Sequence, residues 1–233
     1  TGSSNVTWGT SSTIAGTGLL VFTDASGGPG SSGTLSVPVR FDATSANIAN
    51  TTFDARTYAG AVTLYSNSGS ARSITAAAGG YTFSSTLTTT AAGGGTLTAN
   101  ISAATGTTAV TGALTIGSTT VFSAPATLSC GSDFSNGGSF TNNNGLVQFT
   151  TNNNSTISGS TTFYDLTITN TVAKTVSFVH GTTTTVSHVW TVTGTAGQLV
   201  TLTRDNTSNW TVNPTAASVD YADVNYSTDS GVA

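Results

Sequence analysis

The chain has 233 residues, of which only 6% are charged, and its formal net charge is −4 at pH 7, whereas ordinary soluble domains carry roughly a quarter charged residues. Five dispersed basic residues provide no positive stripe, so we expect neither a nucleic-acid partner nor binding to an anionic membrane surface. No apolar run is long enough to cross a bilayer, which predicts no membrane insertion, and a single cysteine excludes an intramolecular disulfide.

Residues 1–34 differ in composition from the rest of the chain. An apolar run at residues 18–22 precedes a Gly/Ser-rich segment at residues 25–33, which is a composition typical of flexible tethers. We predict an N-terminal strand with a tether, which either caps its own fold or completes the sheet of a neighbouring copy; the alternative is an ordinary first strand with a long surface loop. The candidate assembly residues are Leu19, Leu20, Val21 and Phe22.

Residues 35–233 contain short segments in which apolar and polar residues alternate. In an extended strand this alternation places the apolar side chains on one face. Runs of Gly, Asn and Ser that favour turns separate the segments, and no segment has a helical period, so an all-β fold is predicted. The expected inward-facing residues are Val37, Val39, Phe41, Val62, Leu64, Tyr81, Phe83, Leu97, Ala99, Ile101, Leu114, Ile116, Val147, Phe149, Leu166, Ile168, Val176, Phe178, Trp190, Val192, Val200, Leu202, Trp210, Val212, Val219 and Tyr221.

Strands that recur about every ten residues fit either a β-sandwich or a solenoid of stacked coils. Repetition favours the solenoid, because residues 51–53 and 161–163 have the same sequence, Thr-Thr-Phe, and each is succeeded by an Asp and a strand. The Asn runs at 142–144 and 152–154 resemble turn ladders, in which identical side chains stack between coils. We predict a parallel β-helix (β-solenoid) body over residues 35–233, with β-sandwich domains as the alternative.

Thr-x-Thr pairs would place ranks of hydroxyls on a face of such a solenoid. Flat ranks of this kind order water and bind ice, provided that successive coils keep the same register. The pairs that begin at Thr167 and Thr191 are 24 residues apart, whereas the next pair begins at Thr201, only ten residues further on. This spacing predicts broken ranks, so ice binding is kept as an alternative function only.

The acidic and basic residues form no recognisable catalytic pattern. Asp42 and Asp54 each follow a Phe and are the candidate carboxylate pair for glycoside hydrolysis, but an Asp at this position is more typical of a turn. The basic residues are too dispersed to stabilise an anionic intermediate. We therefore expect no catalytic residues and no enzymatic activity, and a polysaccharide-degrading enzyme is the least favoured alternative.

The two histidines flank a run of threonines. His188 is expected to share the face of Trp190, and His180 lies eight residues earlier. A Ser-His-Asp arrangement is the catalytic alternative, but the sequence has no nucleophile elbow. We favour an inward-facing or strand-end histidine that bonds to a backbone carbonyl.

Cysteine and aspartate provide two further candidate sites. Cys130 has no basic neighbour in sequence to lower its pKa, and we interpret it as a small buried hydrophobic residue. Asp220, Asp223 and Asp229 supply oxygen ligands of the kind that calcium prefers, without the spacing of an EF-hand. We predict no metal site and no cofactor.

Acceptor sequences for N-linked glycans, Asn-x-Ser/Thr, are frequent. Many of them arise by chance in a chain rich in Asn, Ser and Thr, so glycosylation remains a hypothesis. Two of the acceptor sequences begin at Asn153 and Asn209. The candidate glycosylation residues are Asn5, Asn50, Asn100, Asn154, Asn206 and Asn225.

Residues 132–149, 162–169, 190–202 and 210–224 carry a family resemblance. Their sequences, which include SDFSNGGSFTNNNGLVQF, TFYDLTIT and WTVTGTAGQLVTL, resemble the repeats of large secreted bacterial surface proteins of the parallel β-helix, adhesin-like kind. The resemblance is looser over residues 37–117. It implies a surface-exposed structural or adhesive role and identifies no catalytic residue.

These observations together predict an extracellular structural protein. We expect a secreted building block of a cell-surface fibre or adhesin stalk, which associates with copies of itself through strand edges or solenoid ends. A carbohydrate-binding or ice-binding module is the alternative function, with carbohydrate as its partner in the first case.

Overall fold

The computed structural model describes residues 16–23, 34–44 and 50–229. These residues form three parallel β-sheets and include no helix. The chain winds through the three sheets in turn, and its successive coils stack as a β-solenoid of about 8 turns. The predicted all-β solenoid is confirmed. The β-sandwich alternative is wrong, because each pairing between the strands of these sheets is parallel, as stacked coils require, and none is a hairpin.

Each sheet runs along the solenoid and receives strands from successive coils. Sheet A contains β2 (Thr34–Leu35), β5 (Thr57–Tyr58), β8 (Thr82–Phe83), β11 (Thr107–Val110), β14 (Thr127–Cys130), β17 (Leu146–Phe149), β19 (Thr161–Phe163), β20 (Asp165–Thr169), β22 (Thr183–Thr193), β24 (Trp210–Asp220) and β26 (Ser227–Asp229). Sheet B contains β1 (Leu20–Thr23), β3 (Val39–Asp42), β6 (Val62–Ser66), β9 (Leu87–Ala91), β12 (Leu114–Ile116), β15 (Phe134–Asn136), β18 (Ser155–Ser158), β21 (Lys174–Phe178), β23 (Val200–Arg204) and β25 (Ala222–Val224). Sheet C contains β4 (Asn50–Phe53), β7 (Arg72–Ala76), β10 (Leu97–Asn100), β13 (Thr120–Ser123) and β16 (Ser139–Thr141).

The length of a coil varies along the solenoid. The shortest step between register partners is 17 residues, from Trp210 to Ser227, and the longest is 28, from Thr184 to Val212. The recurrence of strands about every ten residues is therefore the step from one sheet to the next. It is not the repeat of the coil, which is why the repeats are hard to see in the sequence.

The cross-section changes in the last coils. β22 is 11 residues long and pairs with both β19 and β20, and β24 has the same length. The corner that earlier coils make between sheets C and A is thus straightened into a single strand. One register shift interrupts β22, between Val186 and Val189.

Inward-facing side chains of successive coils form continuous columns in the core. Phe22 stacks on its register partner Phe41 with 5.2 Å between ring centroids, and Tyr58 stacks on its register partner Phe83 at 5.5 Å. Because every coil repeats the alternation of the strand, each column contains residues of similar character, and apolar burial holds adjacent coils together. The predicted inward-facing residues are buried, except for Val219 and Tyr221 in the last coil.

The asparagine runs join adjacent coils, though not by stacking on one another. Asn152 Oδ1 accepts a hydrogen bond from the backbone N–H of Thr171 (2.9 Å), and Asn154 Oδ1 accepts one from that of Thr175 (2.8 Å). The predicted ladder of identical side chains is therefore wrong. The amides bond to the backbone of the next coil, where turn residues leave donors without a partner in the sheet.

Candidate functional site

The last described coil leaves two core columns open. On sheet A, Val192 and its register partner Val219 both face inward, yet Val192 is fully buried and Val219 is 47% exposed. On sheet B, Leu202 is fully buried while its partner Val224 is 43% exposed. No further described coil covers these valines. Within the described residues, the inward-facing valines of this last coil are therefore uncovered, and we call this surface the open C-terminal end.

At the opposite end, β1 is the first strand of sheet B. Leu20 and Phe22 pack against the core, whereas Leu19 and Val21 face solvent. The strand thus pairs with β3 of its own chain. Residues 1–15 and 24–33, which include the tether and Asn5, lie outside the described residues.

His188 is the first of two histidines that pair with an Asp of the adjacent coil. The register shift in β22 turns its side chain outward, so the predictions that it shares the face of Trp190 and that its ring bonds to a carbonyl are wrong. Its Nδ1 lies 2.8 Å from Asp165 Oδ1, which also accepts the backbone N–H of Val189 (3.0 Å), and its ring stacks on Tyr164 at 4.7 Å.

The second pair lies at the end of β21. His180 Nδ1 is 3.1 Å from Asp205 Oδ1, and the same oxygen accepts the backbone N–H of His180 (2.8 Å). This backbone hydrogen bond lowers the pKa of Asp205. His180 is at a strand end as predicted, but its ring bonds to a carboxylate and not to a carbonyl.

Lys174 is a buried cation that was not among the candidates from the sequence. It shares the inward face of Val176 in β21, and its Nζ donates to the carbonyls of Phe149 (2.7 Å) and Thr151 (2.9 Å). Burial lowers its pKa to about 8. The alternation Lys174-x-Val176 already placed this side chain inward. Its nitrogen serves to satisfy buried carbonyls.

Cys130 is buried in the core, as interpreted from the sequence, and burial raises the pKa of its thiol to about 12. A thiol with this pKa is not a nucleophile at neutral pH. Asp42 and Asp54 lie at the ends of β3 and β4, in different sheets. Asp42 pairs with Arg40 (3.0 Å), and Asp54 lies 4.0 Å from Arg56.

Two of the three C-terminal aspartates lie in different sheets. Asp220 ends β24 in sheet A, Asp223 lies in β25 of sheet B, and nothing is described of the Asp229 side chain. Among the residues described, no three His, Cys, Asp or Glu side chains are grouped so that they could hold a metal ion. Nor does that part of the chain include a helix of the length and hydropathy needed to cross a membrane.

The candidate glycosylation residues occupy turns and strand ends. Asn100 Oδ1 accepts hydrogen bonds from the backbone and hydroxyl of Ser102, and Asn206 Oδ1 accepts the backbone N–H of Ser208. Asn154 bonds to the backbone of the next coil, and Asn225 comes directly after β25. Asn50 lies in β4, and its side chain is not described.

Hydroxyl groups form outward-facing columns on all three sheets. The spacing argument for broken ranks is wrong, because Thr167 and Thr191 are direct register partners, while Thr201 belongs to another sheet. The Thr-x-Thr rank on sheet A is nevertheless limited to two coils, since Gln148 and Ser218 occupy the adjacent register positions. The 24-residue spacing is one full coil. Outward columns include Thr63, Thr88, Thr115, Ser135 and Ser158 on sheet B, and Thr52, Thr75, Ser123 and Thr141 on sheet C, where the amide of Asn100 interrupts the hydroxyls.

Comparison of the chain with protein-family models, with curated proteins and with solved structures gives no match. The fold and the geometry of the chain itself are therefore the basis for assigning a role.

Proposed function

We propose that the chain is a structural rod, a building block of a cell-surface fibre or adhesin stalk in which copies join end to end. The observation that supports this role is the open C-terminal end, where inward-facing Val219 and Val224 are each nearly half exposed. Burying such surface against a further coil is favourable.

The N-terminal end of a second copy is a suitable occupant of this surface. β1 and β2 are the first described strands of sheets B and A, and β25 and β26 are the last. β26 pairs with residues 210–212 of β24, so no described strand follows residues 216–220 of β24. Because all of these strands are parallel, β1 of one copy can follow β25 of another, and β2 can follow residues 216–220 of β24, without a change of direction. A head-to-tail contact of this kind joins two different surfaces and generates an open filament.

End-to-end stacking accounts for the structure better than donation of residues 19–22 to a neighbour. Leu20 and Phe22 pack against the chain's own core, and the Phe22 ring stacks on Phe41. Donating β1 would expose both side chains and remove a strand from sheet B. In the stacking mode β1 stays in place and offers its free edge to β25 of the preceding copy.

An extracellular, non-enzymatic role is part of the same proposal. The composition supports it, because the chain has no Glu and a single Lys, and because uncharged hydroxyl columns suit a surface that contacts water, sugars or an identical neighbour. The resemblance of residues 132–224 to secreted bacterial surface proteins points in the same direction.

Sedimentation velocity and electron microscopy of Val219→Asp test the joining mechanism. We expect the unaltered chain to form species that lengthen with concentration, and Val219→Asp to remain monomeric because a carboxylate in an apolar contact costs several kcal/mol. Val172→Asp is the matched control, since Val172 is 54% exposed in the turn between β20 and β21. An unaltered chain that stays monomeric at every concentration, or equal loss in both variants, contradicts the proposal.

Ice binding is a second candidate, favoured by the alignment of Thr167 with Thr191 and of Thr169 with Thr193. Neighbouring strands are about 4.8 Å apart, so aligned hydroxyls form a regular lattice that can order water. Thermal hysteresis of the Val219→Asp monomer, together with its loss in Thr191→Val, would support this candidate over the structural one.

A further inference from the structure

The register shift in β22 accompanies a small depression on the outer face of sheet A, which both polar and apolar side chains line. β22 takes three residue steps, from Val186 to Val189, where β24 takes two, from Pro214 to Ala216. Bulges of this type re-aim a side chain and are frequent beside binding sites. The depression has a volume of about 260 Å³ and is lined by Leu146, Asp165, Thr167, His188, Val189 and Thr191.

The imidazole of His188 is fixed in this depression. A carboxylate only accepts hydrogen bonds, so the bond to Asp165 requires that Nδ1 carry the proton. The stacking contact with Tyr164 fixes the plane of the ring. Nε2 and Asp165 Oδ2 make no hydrogen bond within the described part of the chain, and the His188 side chain is 54% exposed. Both atoms are therefore available to a ligand.

We propose that this depression binds one saccharide unit. Leu146 and Val189 provide an apolar surface for the C–H face of a sugar ring. Asp165 Oδ2 and His188 Nε2 accept hydrogen bonds from the hydroxyl groups of the sugar. The hydroxyls of Thr167 and Thr191 both donate and accept, and they belong to adjacent coils. The volume is below the ~300 Å³ at which pockets for drug-sized ligands begin, which suits a single ring.

Two other roles for this depression are less well supported. Acyl transfer requires a nucleophile within hydrogen-bond reach of the histidine, and among the described residues no hydroxyl bonds to Nε2. A transition-metal site requires several converging ligands, and no group of three His, Cys, Asp or Glu exists in the described ranges. The saccharide proposal does not depend on how the rods associate.

The test is an NMR titration of the uniformly ¹⁵N-labelled chain with the methyl glycosides of glucose, galactose, mannose and N-acetylglucosamine. The chain has two histidines, so a long-range ¹H–¹⁵N spectrum contains two imidazoles, and His180→Ala and His188→Ala assign them. We expect at least one glycoside to shift the His188 signals saturably, with a Kd on the order of 1 mM for a ligand of this size.

The matched control is His180→Ala, which removes a histidine that is also paired with an Asp of the next coil but does not line the depression. Binding to the variants is followed through the backbone amide signals, because His188→Ala lacks the imidazole. We expect His188→Ala and Asp165→Asn to weaken binding about tenfold or more, from the loss of charge-assisted or pre-oriented hydrogen bonds, and His180→Ala to leave it unchanged. Unaltered thermal unfolding would show that the variants are folded. The proposal is overturned if no glycoside shifts the signals, if the signals respond to ZnCl₂ and to none of the glycosides, or if His180→Ala weakens binding as much as His188→Ala does.

Discussion

The buried ammonium group of Lys174 makes stability depend on pH in a direction that can be measured. Burial lowers the pKa of this lysine from 10.5 to about 8. Below pH 8 the folded and unfolded chains both hold the proton, and the folded chain bears the full desolvation penalty. Between pH 8 and 10.5 the folded chain has released the proton while the unfolded chain still holds it. The free energy of unfolding therefore rises with pH over this interval.

The size of the effect follows from the shift in pKa. At about 1.4 kcal/mol for each pKa unit, the change from 10.5 to about 8 contributes at most about 3 kcal/mol. Other buried groups act in the opposite direction. Burial raises the pKa of Cys130 to about 12 and raises those of Tyr58 and Tyr81, so each lowers stability once it ionises in the unfolded chain, from about pH 9 for the thiol and pH 10 for the phenols.

Comparing the unaltered chain with Lys174→Met isolates the contribution of the lysine to the pH dependence of stability. The contributions of the thiol and the phenols are common to both chains and cancel. Urea denaturation followed by Trp fluorescence gives the free energy of unfolding, and Trp210 reports locally since it stacks on Phe178 of β21. From pH 7 to 10.5 we expect the unaltered chain to gain up to about 3 kcal/mol relative to Lys174→Met. Arg72→Met, which changes the first residue of β7 and retains Lys174, is the control. The difference in unfolding free energy between the unaltered chain and Arg72→Met should not change over this pH range. A difference that stays constant with pH would refute the reasoning.

Two further predictions concern the core. Gly159 has φ +82°, and a Cβ there would lie 1.8 Å from a carbonyl oxygen of the adjacent coil, so Gly159→Ala should lower the free energy of unfolding by about 2 kcal/mol or more. Gly181 has φ +70° but open space around it, so Gly181→Ala should lower the free energy of unfolding by only about 1 kcal/mol. Equal losses of the two variants in thermal unfolding would show that contact with the adjacent coil is unimportant. Because Cys130 is buried with a raised pKa, its alkylation rate should follow the unfolded fraction in urea, and rapid labelling of the folded chain at pH 7 would contradict its placement.

Alternation along each strand was sufficient to predict which residues face inward, and hence the all-β class. Leu166 and Ile168, for example, are buried as that pattern requires. The coil length was not predictable, because the chain between equivalent strands varies and hides the repeat. Thr167 and Thr191 were known to be 24 residues apart, but without the coil length this spacing appeared irregular. The faces of strands are set by local geometry, whereas the register between coils depends on long-range packing.

The site at His188 shows where local reasoning fails. A strict period of two places His188 beside Trp190 on the inward face, and the structure turns it outward because one extra residue is inserted before Val189. Nothing in the local sequence marks this insertion, since it is defined only against the neighbouring strands. Lys174 is the converse case, because its alternation with Val176 did indicate an inward position, although its charge argued against burial.

The scarcity of charge follows from the topology. A parallel stack places equivalent outward residues of successive coils about 4.8 Å apart, so a charge repeated in every coil would oppose its own kind and destabilise the stack. Hydroxyl groups avoid this repulsion because each one both donates and accepts a hydrogen bond. The charged side chains that the described residues do carry include the ion pair Arg40–Asp42, and Asp165 and Asp205 each pair with a histidine of the adjacent coil. The neutral composition thus suits the stack, and specific roles have to be sought where the columns are interrupted: at the bulge in β22 and at the open C-terminal end.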